Sequence, residues 1–221
     1  SSTSTVTINF TTEVEIGDNS SLTVSGLPHA AGNFVLATEN HFNIYDKTAL
    51  TSGGLGAGAG VTSTITTPIN ISKVTVGNSD LDTVGEINIS ARGTGLVDTT
   101  TAMDTYGAAT VSVADAVAII TPNNDIIIGT GAHLVAEGDI NITAGMDDSF
   151  NWDVYSLNAR VDSVAGSIIP IDDLDATASL IATNDIHIQS TALVESAGDI
   201  QLHAEANGFA NVTAKAKGVS W

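Results

Sequence analysis

In the stretch Gly138-Asp139-Ile140-Asn141-Ile142-Thr143-Ala144, the apolar Ile140, Ile142 and Ala144 alternate with Asn141 and Thr143. A period of two marks a strand with one buried face, here entered through a Gly-Asp turn. The pattern also stands at Gly85-Glu86-Ile87-Asn88-Ile89-Ser90-Ala91 and at Gly198-Asp199-Ile200-Gln201-Leu202-His203-Ala204. A degenerate copy lies at Gly32-Asn33-Phe34-Val35-Leu36. The steps from Gly32 to Gly85 and from Gly85 to Gly138 are equal, and the step to Gly198 is slightly longer.

Other anchors keep step with these. Val74-Thr75-Val76-Gly77, Ile126-Ile127-Ile128-Gly129 and Ile186-His187-Ile188-Gln189 precede Gly85, Gly138 and Gly198 at a nearly constant interval, and Val14-Glu15-Ile16-Gly17 is the fourth member. A leucine falls between the elements each time, at Leu22, Leu81, Leu134 and Leu193. Three anchors in a fixed order, four times over, define a repeat, and a repeat dictates the fold before any local detail does. Short alternating strands separated by Gly, Asn and Asp turns, with no 3.6-residue period, predict an all-β chain. The expected architecture is a parallel β-solenoid (β-helix) of about four imperfect 53–60-residue repeats. One coil cannot bury its own apolar face, whereas stacked coils share a continuous core. Two or three coils per repeat are expected, so roughly eight to eleven coils would span on the order of 40–50 Å. The alternative is an antiparallel β-sandwich, which explains the turns but not the ordered anchors.

The whole chain, 1–221, reads as a single β-solenoid repeat domain with approximate repeats 1–70, 71–122, 123–182 and 183–221. Alanine-rich stretches at 109–118, 155–166 and 211–221 form a third class of strand. Pro68 and Pro122 stand before the strands at Val74 and Ile126, as breakers at repeat boundaries would. The last repeat is short and neither end shows a polar cap. These features point to part of a longer array or to a subunit that stacks. Val6, Ile8 and Phe10 alternate with polar residues at the start of the chain and are candidates for self-association through a donated strand.

Composition narrows the function. There are 25 acidic and 6 basic residues, a net charge of −19, which excludes nucleic acid and anionic lipid as partners of the bulk surface. Cysteine is absent, removing disulfides, thiolate catalysis and Cys-ligated metals. No apolar run is long enough to span a bilayer, and the first residues carry no signal-peptide pattern.

The motifs with a chemical reading are weak. Gly54-Leu55-Gly56-Ala57-Gly58-Ala59 has dinucleotide-fingerprint spacing, but no helix pattern follows it. The histidines, His29, His41, His133, His187 and His203, form no metal-binding spacing; His187 and His203 alternate with apolar residues and are expected at the surface. Acids gather at Asp80 and Asp82, at Asp147 and Asp148, and at Asp172, Asp173 and Asp175. Calcium takes six to eight oxygen ligands, so Asp80, Asp82, Asp172, Asp173 and Asp175 are the calcium candidates. The other reading of these acids is turn closure and solubility. No catalytic residue and no further cofactor is assigned. Glycosylation sequons fall at Asn19, Asn70, Asn88, Asn141 and Asn211, with Asn88 and Asn141 at one outward repeat position.

The G-D-I-x-I-x-A element behind an I-x-I-G strand, seen best over Ile126 to Ala144 and more weakly over Val74 to Ala91 and Ile186 to Ala204, resembles the β-solenoid repeats of large secreted bacterial adhesins of the filamentous-haemagglutinin type. The resemblance implies export, a long rod at the cell surface, and a role in adhesion or spacing. It brings no catalytic residue. Long inserts, Gly145 to Asp175 above all, depart from it. The expected function is a non-enzymatic structural and adhesive module of an extracellular or cell-surface fibrous protein. Its partners would be neighbouring repeats or copies of itself, with cell-surface glycans as a further class. A self-assembling filament subunit is the alternative, and a carbohydrate-active β-helix enzyme acting through Asp172 or Asp173 comes third.

Overall fold

The computed structural model describes residues 1–26, 32–146 and 151–219. Among them there is strand but no helix. In chain order the strands are β1 (Ser2–Thr7), β2 (Phe10–Ile16), β3 (Ser21–Val24), β4 (Phe34–Gly53), β5 (Gly56–Val76), β6 (Asp80–Thr83) and β7 (Ile87–Ile128). They continue as β8 (His133–Ala136), β9 (Ile140–Ala144), β10 (Tyr155–Leu180), β11 (Thr183–Ile188), β12 (Leu193–Ser196), β13 (Ile200–Ala204) and β14 (Gly208–Val219).

Every ladder between these strands is parallel; the one antiparallel contact among the described residues is an isolated bridge from Met146 to Trp152. The antiparallel sandwich is thereby ruled out. Ten strands form one sheet, and β3, β6, β8 and β12 form a second, narrower one. Each residue pairs with its counterpart one repeat later: Ser2 with Val61, Gly56 with Ala109, Gly95 with Tyr155, and Tyr155 with Gly208. The anchors read from the sequence stack in order, Val14 on Val74 on Ile126 on Ile186, and Leu22 on Leu81 on Leu134. Leu193 falls one column away, opposite His133, with Val194 opposite Leu134.

This register corrects the expected coil count. A repeat supplies one rung of each ladder, not two or three, because the paired residue lies a whole repeat further along the chain. The anchors therefore occupy four rungs, about 14 Å from first to last at a strand spacing of about 4.8 Å. The expectation of short strands fails for the same reason. β7 runs for 42 residues, because backbone pairing to the rungs above and below continues wherever the path bends gently. The alanine-rich stretches are not one class: 109–118 pairs with 56–65, whereas 155–166 pairs with 95–106. Nor do the prolines end strands. Pro122 lies inside β7, Pro170 lies inside β10 on a stretch paired only to β7, and Pro68 sits in a bulge between Thr67 and Asn70. Edge and bulge positions tolerate a residue with no N–H to donate.

The inserts are smaller than the sequence suggested. Residues 145–154 replace 92–94 of the preceding rung, and Tyr155 onward is back in register. Near the start, residues 25–33 replace 84–86.

Alternation along each strand sends one side chain in two inward, and the buried set divides into two lobes. One is aliphatic: Val74, Val76, Leu81, Ile87, Ile89, Ile126, Ile128, Leu134, Ile140 and Ile142 pack between the narrow sheet and the wide one. The other packs Phe42, Ile44, Val61, Ile65, Val97, Met103, Tyr155 and Leu157 between the outgoing and returning arms of the wide sheet. Phe10 stacks on Phe42 at 4.8 Å. Towards the turn at Tyr106 to Ala108 this lobe thins to Thr105, Thr110 and Ser112, all buried. Thr105 and Ser112 share a hydrogen bond of 3.0 Å, and Thr110 donates to Ser167 at 2.9 Å. Small hydroxyl side chains let the two arms close together while satisfying their own polar atoms.

The glycine that opens each repeat motif is a packing requirement. A Cβ at Gly85 would strike the carbonyl of Gly32 on the rung beneath, and one at Gly138 would lie 2.9 Å from the Gly85 oxygen. The acid after it closes the corner: the Asp199 N–H donates to Asp139 at 2.8 Å, and the Glu86 N–H donates to the Asn33 side chain at 2.9 Å. Glu86, Asp139 and Asp199 thus stand on successive rungs, not two or three coils apart.

Candidate functional site

The acids proposed for calcium are divided by the fold. Asp80 and Asp82 have alternate positions on β6 and face outward from the narrow sheet. They border a hollow with Ser21, Thr23, His133 and Val135, and the His133 Nδ1 lies 3.1 Å from Asp80. Asp172, Asp173 and Asp175 lie on β10 in the wide sheet. Successive strand residues point to opposite faces, so Asp172 and Asp173 cannot flank one ligand. Asp175 is opposite Asp115 across the ladder, a like-charge pair. Among the described residues no three of His, Asp and Glu gather closely enough to hold a metal ion. Asp147, Asp148 and His29 lie outside the described residues.

His41 contacts Thr94 at 2.7 Å, and His187 stands 3.8 Å from Asp125; neither approaches another histidine through its ladder. The glycine run Gly54 to Gly60 enters β5 with glycines outward and Ala57 and Ala59 inward, so no helix N-terminus follows it. The sequon asparagines Asn88 and Asn141 are engaged with each other: the Asn141 amide donates to Asn88 at 2.9 Å, and Asn88 is buried. The pair alternates with the inward isoleucines as expected, but its amides are partly covered and joined to each other, Asn141 remaining half-buried. Asn70 is buried as well. Val6, Ile8 and Phe10 face inward against their own chain, half-buried, with β1 paired to β5.

The chemically distinctive place is the waist between the two lobes, which the sequence reading passed over. At each rung a polar side chain crosses it. Thr12 donates to Asn40 at 2.6 Å, Ser72 donates to the Arg92 carbonyl at 2.6 Å, Asn124 donates to Asp153 at 3.1 Å, and Asn184 donates to the Glu205 carbonyl. Asn124 also donates to Asn184 on the next rung at 2.7 Å, and Asn40 to Asn70 at 2.9 Å.

Asp153 holds the central place. The insert 145–154 interrupts the ladder opposite residues 92–94, which would leave the Gly93 N–H without a carbonyl from the next rung. The Asp153 carboxylate replaces it, accepting that N–H at 2.7 Å. Its own N–H donates to the Gly145 carbonyl at 2.9 Å, closing the base of the insert. The second oxygen, Oδ1, is buried with no partner, as is the Tyr155 hydroxyl. Burial raises the Asp153 carboxyl from 3.8 to about 7, against the pull of the Gly93 N–H and the Arg92 charge. Burial likewise pushes the Tyr155 hydroxyl above its usual range, with the Asp153 charge adding to it. Gly93 is needed here, since a Cβ would collide with the Tyr155 hydroxyl.

One sequence signal marks this waist. Thr12, Ser72, Asn124 and Asn184 share strand parity with the buried anchors two residues on, so each is a polar residue in an inward position. Asp153 carries no such signal, because it lies within an insert whose length hides its parity.

At its centre the waist is buried: Asp153 is 1% exposed. Compared with protein-family models, curated proteins and solved structures, the chain matches none of them.

Proposed function

We propose that this chain is a β-solenoid stretch of a non-enzymatic structural module in an extracellular or cell-surface fibrous protein, of the style seen in filamentous-haemagglutinin-type adhesins. The observation that carries the reading is the uniform parallel register, one rung per repeat across every ladder. In such a stack the backbone hydrogen bonds run along the long axis. Stiffness then comes from the ladders and from columns of apolar side chains such as Val14, Val74, Ile126 and Ile186, and length is set by repeat number.

The distribution of acids supports a mechanical over a catalytic role, since Asp172 and Asp173 diverge and Asp80 and Asp82 lie on another sheet. Fibre diffraction of oriented native protein tests this: a reflection near 4.8 Å along the fibre axis is expected, at roughly the spacing of paired strands. A reflection of that spacing perpendicular to the axis would rule the rod out.

A filament of stacked copies is the second reading, favoured by one observation. Inward-column side chains of the last rung stand open, with Ile200 46%, Leu202 48% and Val212 48% exposed, and β13 and β14 are paired on one side only. Analytical ultracentrifugation separates the two readings, because stacking copies must grow in mass with concentration.

A further inference from the structure

Lys47, Arg160, Lys215 and Lys217, four of the six cationic side chains, lie on one outer face of the wide sheet. In β10, Ser156, Asn158, Arg160, Asp162 and Val164 alternate with buried neighbours and point outward. The register sets Asn158 between Asp98 and Asn211, Arg160 between Thr100 and Thr213, and Asp162 between Ala102 and Lys215. Lys47 and Tyr45 add the rung before, opposite Thr100 and Asp98. Four cations against Asp98, Asp104 and Asp162 make this face +1, which leaves −20 for the rest of a chain whose total is −19. The outer face of the returning arm and its continuation differs: Glu13, Glu15, Asp115, Asp125, Asp173, Asp175 and Asp185 stand against Lys73 alone, a net −6.

The cations differ in pairing as well as place. Lys73 and Arg92, which lie elsewhere, are each bonded to a glutamate, Glu13 at 3.3 Å and Glu39 at 2.7 Å. On the cationic face Arg160 meets Asp162 at 2.7 Å, but Lys47, Lys215 and Lys217 have no ion-pair partner among the described residues. Asp98, Thr100, Asn158, Arg160, Asn211 and Lys215 line a hollow of about 260 Å³, and Asp162, Val164, Lys215 and Lys217 border a wider one of about 630 Å³. Tyr45 and Phe209, each 65% exposed, stand at opposite edges.

We propose that this face binds an anionic polysaccharide laid across the rungs. Amide, hydroxyl and carboxylate side chains at one rung after another suit a ligand whose hydroxyl groups repeat. Arg160 offers a planar fork to a carboxylate or sulfate, the lysines offer point charges, and the exposed rings offer flat apolar surface to sugar C–H faces. The −20 elsewhere does not forbid this, because at 0.1 M salt charges more than about 10 Å apart are largely screened. The face belongs to a single copy, so its failure would leave the rod reading untouched.

Calorimetric titration of the full chain at about 0.1 M salt tests it, with polygalacturonate, dextran sulfate and neutral dextran as probes. Binding to at least one anionic polymer and none to dextran is expected, and the polymer that binds names the anion. Affinity should fall about tenfold or more in the double variant Arg160→Ala with Lys215→Ala, and in Lys47→Glu, while Lys73→Ala binds as the parent does. These side chains face solvent, so unchanged thermal unfolding is expected to accompany the loss. Failure of the parent to bind either anionic polymer would overturn the proposal. So would equal loss in Lys73→Ala, or equally tight binding of single-stranded DNA, which would reduce the effect to unspecific charge.

Discussion

At the residue scale the waist carboxyl is the sharpest feature. Asp153 holds its proton up to about pH 7 when folded, whereas the unfolded chain releases it near 3.8. Between those values the native state binds the extra proton, so stability falls as pH rises from about 4 to about 7 and levels off above. Asp153→Asn keeps an acceptor for the Gly93 N–H and removes the charge. The variant should be more stable than the parent at pH 8 by about 2 kcal/mol or more, with the gap closing towards pH 4. Denaturant unfolding at both pH values measures this, and an unchanged pH slope in the variant would refute it. Asp153→Ala should act in the opposite direction at low pH. It leaves the Gly93 N–H buried and unpaired, at a cost of about 1–3 kcal/mol.

At the element scale the ladders do the organising, and their defects are local. Asp175 on β10 lies directly opposite Asp115 on β7, both on the outer face. Like charges across a ladder repel, so Asp175→Asn should stabilise by a few tenths to about 1 kcal/mol, and by less in high salt. Thermal unfolding at two salt concentrations checks both parts. Aliphatic columns work in the other direction. Ile140 is fully buried between Ile87 and Ile200, and Ile140→Ala should cost about 2–5 kcal/mol, because rungs above and below prevent the cavity from collapsing. Destabilisation below about 1 kcal/mol in denaturant melts would mean the lobe is looser than described. The strands legible in the sequence were those of the aliphatic lobe, where Ile and Val alternate cleanly with polar residues. The outgoing and returning arms of the other lobe were not. Their inward positions mix large apolar residues with Thr, Ser and Ala, and Val111 and Val113 stand outward beside buried Thr110, Ser112 and Ala114, so the periodic contrast is weak.

At the scale of the whole molecule, repeat length and rung are the same quantity. Excision of residues 85–137 joins Val84 to Gly138 and leaves every ladder in register one rung shorter. The shortened chain should keep its β-sheet circular dichroism and unfold cooperatively at lower denaturant, since stability in stacked repeats grows with each interface. Collapse to a disordered chain would show that the rungs are not interchangeable. Charge acts at this scale too. With −19 spread over four rungs, added salt should raise the unfolding temperature of the parent.

Several things followed from the sequence alone. Which residues lie beside one another across the ladders was readable in Gly85, Gly138 and Gly198, where no Cβ fits against the rung beneath, and in the aliphatic columns such as Val14, Val74, Ile126 and Ile186. Parallel stacking followed from the ordered anchors, and the absence of a helix from the period of two. How much chain makes one rung did not follow, because alternation within a strand is the same whether its partner lies one short coil away or a whole repeat away. Only the tertiary structure, where loop length and pairing are decided together, chose the full repeat. The same holds for Asp153 and for the cationic face. A carboxyl brought to the Gly93 N–H by an insert, and lysines gathered from β4 and β14 around Arg160 of β10, are neighbours in register and strangers in sequence.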